Sequence, residues 1–523
     1  MSPTETIDKR AILLIAAIVL AITIIAGATG VYVLSDPAIS SGQRLLVSAS
    51  VIDRWYHQEV DWDSLAQAGR DGMLDRLDRF SGYVSDQEFQ RIRSDQSGGY
   101  SGLGVTISAA DSGLLILQVR PGGPADSAQL LPGDLILMAD SVDLRQKTSR
   151  EASQYLLGRS GSTVALTIYR PASQSSFSID VVRGEIPFEH VPYAGYTEDN
   201  VLYLRLSAFD PGAADAVEAA LDSLISDTRR PRGMILDLRG NPGGLLREAL
   251  QTADFFLDEG VFIAGTDSRS RWDNVEFRAE SPDLTEGLPL VVLVDDGSAS
   301  SSEIVAGALQ QAGRARLVGD TTYGKGLVQG YVHFPAGDGL RLTISRYFLD
   351  GPVYLNSFDS VLVDSGRGLI PDSVLVPAGD AWFINEIERS LLLYQYAFAF
   401  QDEILADVAD DTLPDFHLIQ FHEFARGRRF ECTSPITDRM LAVMAMAELE
   451  HANPATRQQL ERMNLLTQRY DRESYLTNGG YLKRRIYALA LQRQSSLYQA
   501  YARVLVPQDP QITLARQILL SGQ

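Results

Sequence analysis

Residues 290–329 restrict the fold more than any other stretch. They open on an unbroken apolar run, Leu290-Val291-Val292-Leu293-Val294, the pattern of a strand buried on both faces. A turn of small polar residues follows over 295–302, and Glu303-Ile304-Val305-Ala306 starts a helix. A second strand over 315–319 leads into a glycine-rich turn that carries Lys325. A serine at a strand-to-helix turn and a lysine in the next turn make a candidate nucleophile and base. Two plainer readings compete. Ser300-x-x-Glu303 is also a helix capping box, and Lys325 also fits a surface turn. A third, a phosphate loop, fits Gly319-x-x-x-x-Gly324-Lys325 but then fails. Gly326 stands where Ser or Thr must hold magnesium, and 327–334 read as a strand rather than a helix.

Composition narrows the chemistry. A formal net charge of -21 argues against nucleic acid as a partner. One cysteine, Cys432, allows neither an internal disulfide nor a thiolate zinc site. His417, His422 and Glu423 lack the spacing of a metalloprotease motif and read as ordinary side chains. No metal and no cofactor are expected.

At the N-terminus, Lys9-Arg10 precede an uncharged apolar stretch, 11–35. As a helix rising about 1.5 Å per residue it reaches roughly 37 Å, enough to cross a hydrocarbon core of about 30 Å. The basic pair predicts a cytoplasmic tail over 1–10, a transmembrane anchor over 11–35 and an exported, periplasmic or extracytoplasmic remainder. The alternative is a secreted protein, with Ala26-Gly27-Ala28 as the cleavage site of a signal peptide. Residues 42–96 read as a helical packing region, with Leu45, Leu46, Val51, Ile52 and Trp55 at helical spacings.

After Gly98-Gly99 the pattern changes to short strands broken by Pro121-Gly122-Gly123-Pro124 and Leu131-Pro132-Gly133-Asp134. With Gly102-Leu103-Gly104-Val105, this resembles a PDZ domain over 97–184. The resemblance implies that the Gly102–Val105 loop offers amides to a peptide's terminal carboxylate. The peptide then adds a strand beside 104–107, facing a helix near 149–157 whose Ala152, Tyr155 and Leu156 line the groove. From Val201 strands and helices alternate. The strand 233–238 ends in Arg239-Gly240-Asn241-Pro242-Gly243-Gly244, where glycines permit close backbone approach.

Four ordered motifs then become specific: Asp237-Leu238-Arg239-x-Asn241-Pro242-Gly243-Gly244, Ser298-Ala299-Ser300-x-Ser302-Glu303, Gly324-Lys325-Gly326-x-Val328-Gln329, and Gly368-x-Ile370-Pro371-Asp372. The set resembles the carboxyl-terminal processing (tail-specific) serine peptidases of family S41. This implies an α/β core over 185–380, with ClpP/crotonase-like layering, beside an inserted mainly-β PDZ domain. It also implies Ser300 as nucleophile, Lys325 as base and Gln329 as support. Some members carry an aspartate in the helix after the nucleophile, and Gln311 stands at that position here.

The residues agree with such a mechanism on chemical grounds. A serine hydroxyl needs a neighbour to take its proton, and His333 is the only histidine near either motif. Lysine can serve only when neutral, so burial must lower its pKa from about 10.4. Ser301 at the helix start and Gly243, or Gly244, are the expected oxyanion-hole amides. Residues 381–523 read as an all-α extension for packing, self-association or an adaptor. The substrates implied are proteins or peptides with free C-termini. The alternatives are a catalytically inactive PDZ scaffold and an apolar-ligand binder on the same fold.

Overall fold

The computed structural model describes residues 37–95, 99–110, 112–225, 229–269, 274–350, 353–354, 368–375, 381–409, 411–430, 432–450, 452–492, 504 and 506–521. The expected anchor over 11–35 lies outside them. Among the described residues no helix is long and apolar enough to cross a membrane. The chain divides into two compact units, 1–83 and 84–523. The first carries helices Pro37–Trp55 and Trp62–Leu74, the latter capped by the Asp61 carboxylate on the Ser64 amide at 3.2 Å. Leu45, Leu46, Val51 and Trp55 are exposed there rather than packed as expected, and helix Trp62–Leu74 likewise buries none of its residues.

In the second unit, the PDZ region is a six-stranded antiparallel sheet. Its main path runs Val105–Ala110, Gly113–Val119, Leu135–Ala139, Thr163–Arg170, Ser175–Val182. Strand Val105–Ala110 ends that path, so one of its edges is open to another chain. Helix Ser149–Leu156 begins with a complete capping box between Thr148 and Glu151. Leu103, Ile116, Ile136, Ala152, Leu156 and Ile168 form part of the core. Asp134 of the Pro-Gly-Asp turn is fully buried and bonded twice to Arg170, each contact at 2.7 Å.

The α/β layer is a second six-stranded sheet, ordered Tyr193–Tyr196, Leu202–Arg205, Met234–Asp237, Leu290–Val294, Ala315–Gly319, Ser373–Val374. Its first pair is antiparallel and the rest are parallel. Every residue of strands Met234–Asp237 and Leu290–Val294 is buried, as an apolar run without alternation requires. Helices Ala213–Ile225, Leu246–Asp254 and Ser301–Gln311 cover one face. The other face is covered by a segment far along the chain: Val506, Ile512, Ala515 and Leu519 pack on Tyr203, Ile235, Val291, Leu293 and Val318.

The region 381–523 is therefore not one extension. Helix Pro510–Ser521 belongs to the α/β core, which the sequence placed over 185–380. The helices between Ala381–Arg389 and Gly479–Leu491 hold a separate apolar core around Phe383, Tyr396, Phe421 and Ile486. Gly479 and Gly480 open helix Gly479–Leu491, which Asn478 separates from helix Pro454–Thr477. This bundle also packs on the PDZ sheet. Leu391 sits with Leu115 and Leu135, and Gln492 Nε2 donates to Leu117 O at 3.1 Å.

Candidate active site

The serine run lies where strand Leu290–Val294 turns into helix Ser301–Gln311. Three of its four hydroxyls are held by main-chain carbonyls. Ser298 donates to Leu238 O at 2.8 Å, Ser301 to Gly244 O at 2.9 Å and Ser302 to Asn241 O at 2.8 Å. All three side chains are fully buried. Ser300 differs: its hydroxyl donates to no carbonyl among the described residues, and its backbone sits at φ 55°, ψ −113°. A non-glycine residue there is strained by about 1–3 kcal/mol, and such strain concentrates at functional positions. The capping box is present, and it does not use up the hydroxyl proton. Glu303 accepts the Ser300 amide at 2.8 Å, leaving the Ser300 hydroxyl available for chemistry.

Glu303 is the residue the sequence undervalued. It is fully buried, and its carboxylate gathers four donors. Oε2 accepts the amides of Ser300 and Lys325, each at 2.8 Å. Oε1 accepts the Gly324 amide at 2.7 Å and the Thr322 hydroxyl at 2.6 Å. One oxygen thus joins the backbones of the expected nucleophile and base. Buried charge is tolerated when donors surround it in this way. The fourth motif supports the same turn, because Thr322 Oγ1 accepts the Leu369 amide at 2.7 Å. Asp372 accepts the Leu317 amide at 2.7 Å.

Lys325 is half-buried. Burial, and then the nearby cation of Arg341, lower its pKa from the usual lysine value, against the opposing pull of Glu303. Both lowering effects favour the neutral amine that a base requires. Gln329, expected to orient that amine, has its Nε2 buried without a hydrogen-bond partner among the described residues. Beside it the pairing with strand Gly339–Leu349 skips Ile344, a register shift between Val328 and Gln329. His333 stacks on Phe89 with ring centroids 4.0 Å apart, at the far end of strand Leu327–His333 from the lysine turn. Gln311 ends the serine helix and is exposed.

The glycine turn lies directly against the serine. Gly243 has φ +94°, and a Cβ there would stand 2.6 Å from Ala299 O and 2.9 Å from Ser301 N. Its amide is engaged, donating to Asn241 Oδ1 at 2.9 Å, so Gly243 is not the free oxyanion donor expected. Ser301 is the first helical residue, where amides lack intrahelical acceptors. Below the turn, Asp237 is fully buried, and burial alone would raise its pKa. Arg239, Arg205 and the Tyr203 hydroxyl outweigh that and hold it at about 2. Arg239 also pairs with Asp509 and Gln511 at 2.7 Å each, tying the site's floor to the start of helix Pro510–Ser521.

The PDZ groove is a cavity of about 440 Å³ between strand Val105–Ala110 and helix Ser149–Leu156. Leu103, Gly104 and Val105 line it, with Gly104 at φ +73°. Gly102 is buried, its Cα facing Leu157 and Tyr100. Helix spacing turns Ser153, Leu156 and Leu157 to the groove, while Ala152 points into the domain core instead. Tyr155, also expected in the groove, packs against that core with Lys147 over its ring. Ser149 Oγ accepts the Ala109 amide at 2.8 Å and so closes the far end of the open strand edge.

Residues 200–353 match the model of peptidase family S41, and residues 101–181 match that of the PDZ domain. The carboxy-terminal-processing protease of Bartonella bacilliformis is 34% identical over 317 residues, covering 60% of this chain and 70% of that protein. The carboxyl-terminal-processing protease of Picosynechococcus is 32% identical over 341 residues, covering 64% and 78%. Carboxy-terminal processing protease CtpA of Bacillus subtilis is 31% identical over 293 residues, covering 56% and 62%.

Proposed function

The chain belongs to peptidase family S41 and is a serine peptidase. From that premise we propose an endopeptidase that captures free protein C-termini in its PDZ groove and cleaves through a Ser300–Lys325 dyad. The observation that carries the dyad is Glu303 Oε2, which takes both the Ser300 and the Lys325 amides. Neutral Lys325 removes the Ser300 proton as Oγ attacks the scissile carbonyl. The amide of Ser301, aided by the positive end of the serine helix, meets the developing oxyanion, with Gly244 in the place expected for Gly243. The ammonium of Lys325 then protonates the departing amine, and water attacks the acyl-enzyme with Lys325 again as base.

The dyad is tested by turnover of a peptide with a free apolar C-terminus. Ser300→Ala and Lys325→Ala are each expected to lower kcat by at least about a thousandfold while leaving the circular dichroism unchanged. Lys325→Ala that keeps full turnover at neutral pH rejects the dyad. Binding without cleavage by the unaltered chain supports the scaffold alternative. Residues 11–35 are proposed as an anchor that keeps the catalytic part outside the cytoplasm, with cleavage near Ala26-Gly27-Ala28 as the alternative. Extraction of the protein from membranes by alkaline carbonate would exclude the anchor.

A further inference from the structure

We propose that the joint between the PDZ domain and the C-terminal helices is a binding site for a small amphiphilic anion, a carboxylate or phosphate head on an apolar body. A cavity of about 650 Å³ opens there, separate from the peptide groove and from Ser300. That volume lies in the range of cavities that hold small ligands, about 300–1,000 Å³. Leu115 and Leu135 of the PDZ sheet form one wall, and Leu392 and Phe398 of the helices the other. Below them, Leu391 closes the joint against Leu115 and Leu135.

The mouth is cationic in a chain whose net charge is -21. The acid lining the cavity, Asp134, is already paired with Arg170 at 2.7 Å. Arg428 and Arg429 also line it, and neither has an anionic partner among the described residues. Arg428 is held in place by stacking on Phe424, 3.5 Å from the ring centroid. Arg429 sits at φ +56°, a backbone conformation that a side chain other than Asn or Gly rarely adopts. Two guanidinium groups beside an apolar pocket, that of Arg428 stacked on Phe424, match a ligand with one charged end and one oily end. Such a ligand touches both walls of the joint, so its binding fixes the PDZ domain on the helices. It also reaches Ala110, at the end of the strand that receives the peptide.

The test is calorimetric titration of the full chain with octanoate and octyl phosphate below their micelle concentrations. Saturable binding of one molecule per chain is expected for either head group, and the tighter one identifies the head. Octyltrimethylammonium and acetate are expected to bind at least about tenfold more weakly, for want of the right charge or of an apolar body. Arg428→Ala/Arg429→Asn, whose Asn keeps the left-handed backbone, is expected to weaken octanoate about tenfold or more. Its melting temperature without ligand and its peptide binding stay unchanged. Arg428→Lys/Arg429→Lys, which keeps the charge, retains binding within about threefold. Three results overturn the proposal: equal binding of the ammonium compound, unaltered octanoate binding in the Ala/Asn variant, or displacement of octanoate by a peptide that fills the PDZ groove.

Discussion

The serine corner and the PDZ groove are both built on a glycine turn beside a strand, yet they are finished in opposite ways. At the corner, the turns are tied to each other through Glu303, Asn241 and three serine hydroxyls. In the groove, strand Val105–Ala110 keeps an open edge, met at Ala109 by the Ser149 hydroxyl. The difference follows from the work each site is proposed to do. Chemistry needs reacting groups held before the substrate arrives, whereas strand addition needs main-chain groups left for the peptide to pair.

The strongest attack on that contrast is Glu303→Gln. Whichever oxygen becomes an amide nitrogen, two donors lose their acceptor inside the protein. A loss of about 2–4 kcal/mol of stability is expected, since buried charged hydrogen bonds are expensive to break. With it, kcat is expected to fall about a hundredfold or more, read by thermal melting and steady-state kinetics. Unchanged kinetics would remove Glu303 as the residue that positions the dyad.

Next comes a paired glycine test. Gly243→Ala puts a Cβ 2.6 Å from Ala299 O at φ +94°, where the neighbour is backbone and cannot give. A fall in kcat of about ten- to a hundredfold is expected, with KM little changed. Gly104→Ala, at φ +73°, meets the tip of the Ile186 side chain at 3.1 Å. It is expected to weaken peptide capture by about tenfold while leaving kcat on a short peptide intact. Equal effects of the two substitutions on kcat would erase the distinction between the sites.

The smallest expected effect is electrostatic. Arg341 helps to lower the pKa of Lys325, after burial. The active base is the neutral amine, so activity rises with pH through the lysine pKa. Arg341→Met removes a cation, raises that pKa and moves the rising limb of the pH–rate profile to higher pH by less than about one unit. A shift to lower pH would mean that Arg341 acts on another group.

Much of the site was legible because it is local. The apolar run 290–294 reads as a buried strand, and Ser300, Lys325 and the two glycines all fall in turns that the sequence marks. Less was legible where a side chain's partner is remote. Glu303 looks like half of a capping box until its other partners, about twenty residues away, are in place. Gln329 lies where strand Leu327–His333 slips register against strand Gly339–Leu349, an irregularity that alternation does not reveal. Gly243 carries the required conformation, but its amide goes to Asn241, two residues earlier.

Spacing and residue type along the chain determined the two folded regions, the serine and lysine turns, and the family, because periodicity and turn chemistry act over a few residues. Tertiary structure alone decided that helix Pro510–Ser521 closes the second face of the catalytic sheet and that the remaining helices dock on the PDZ domain. An amphipathic face shows that it will be buried, but not against what. The partner is chosen by the apolar surface left uncovered when the rest of the chain has folded.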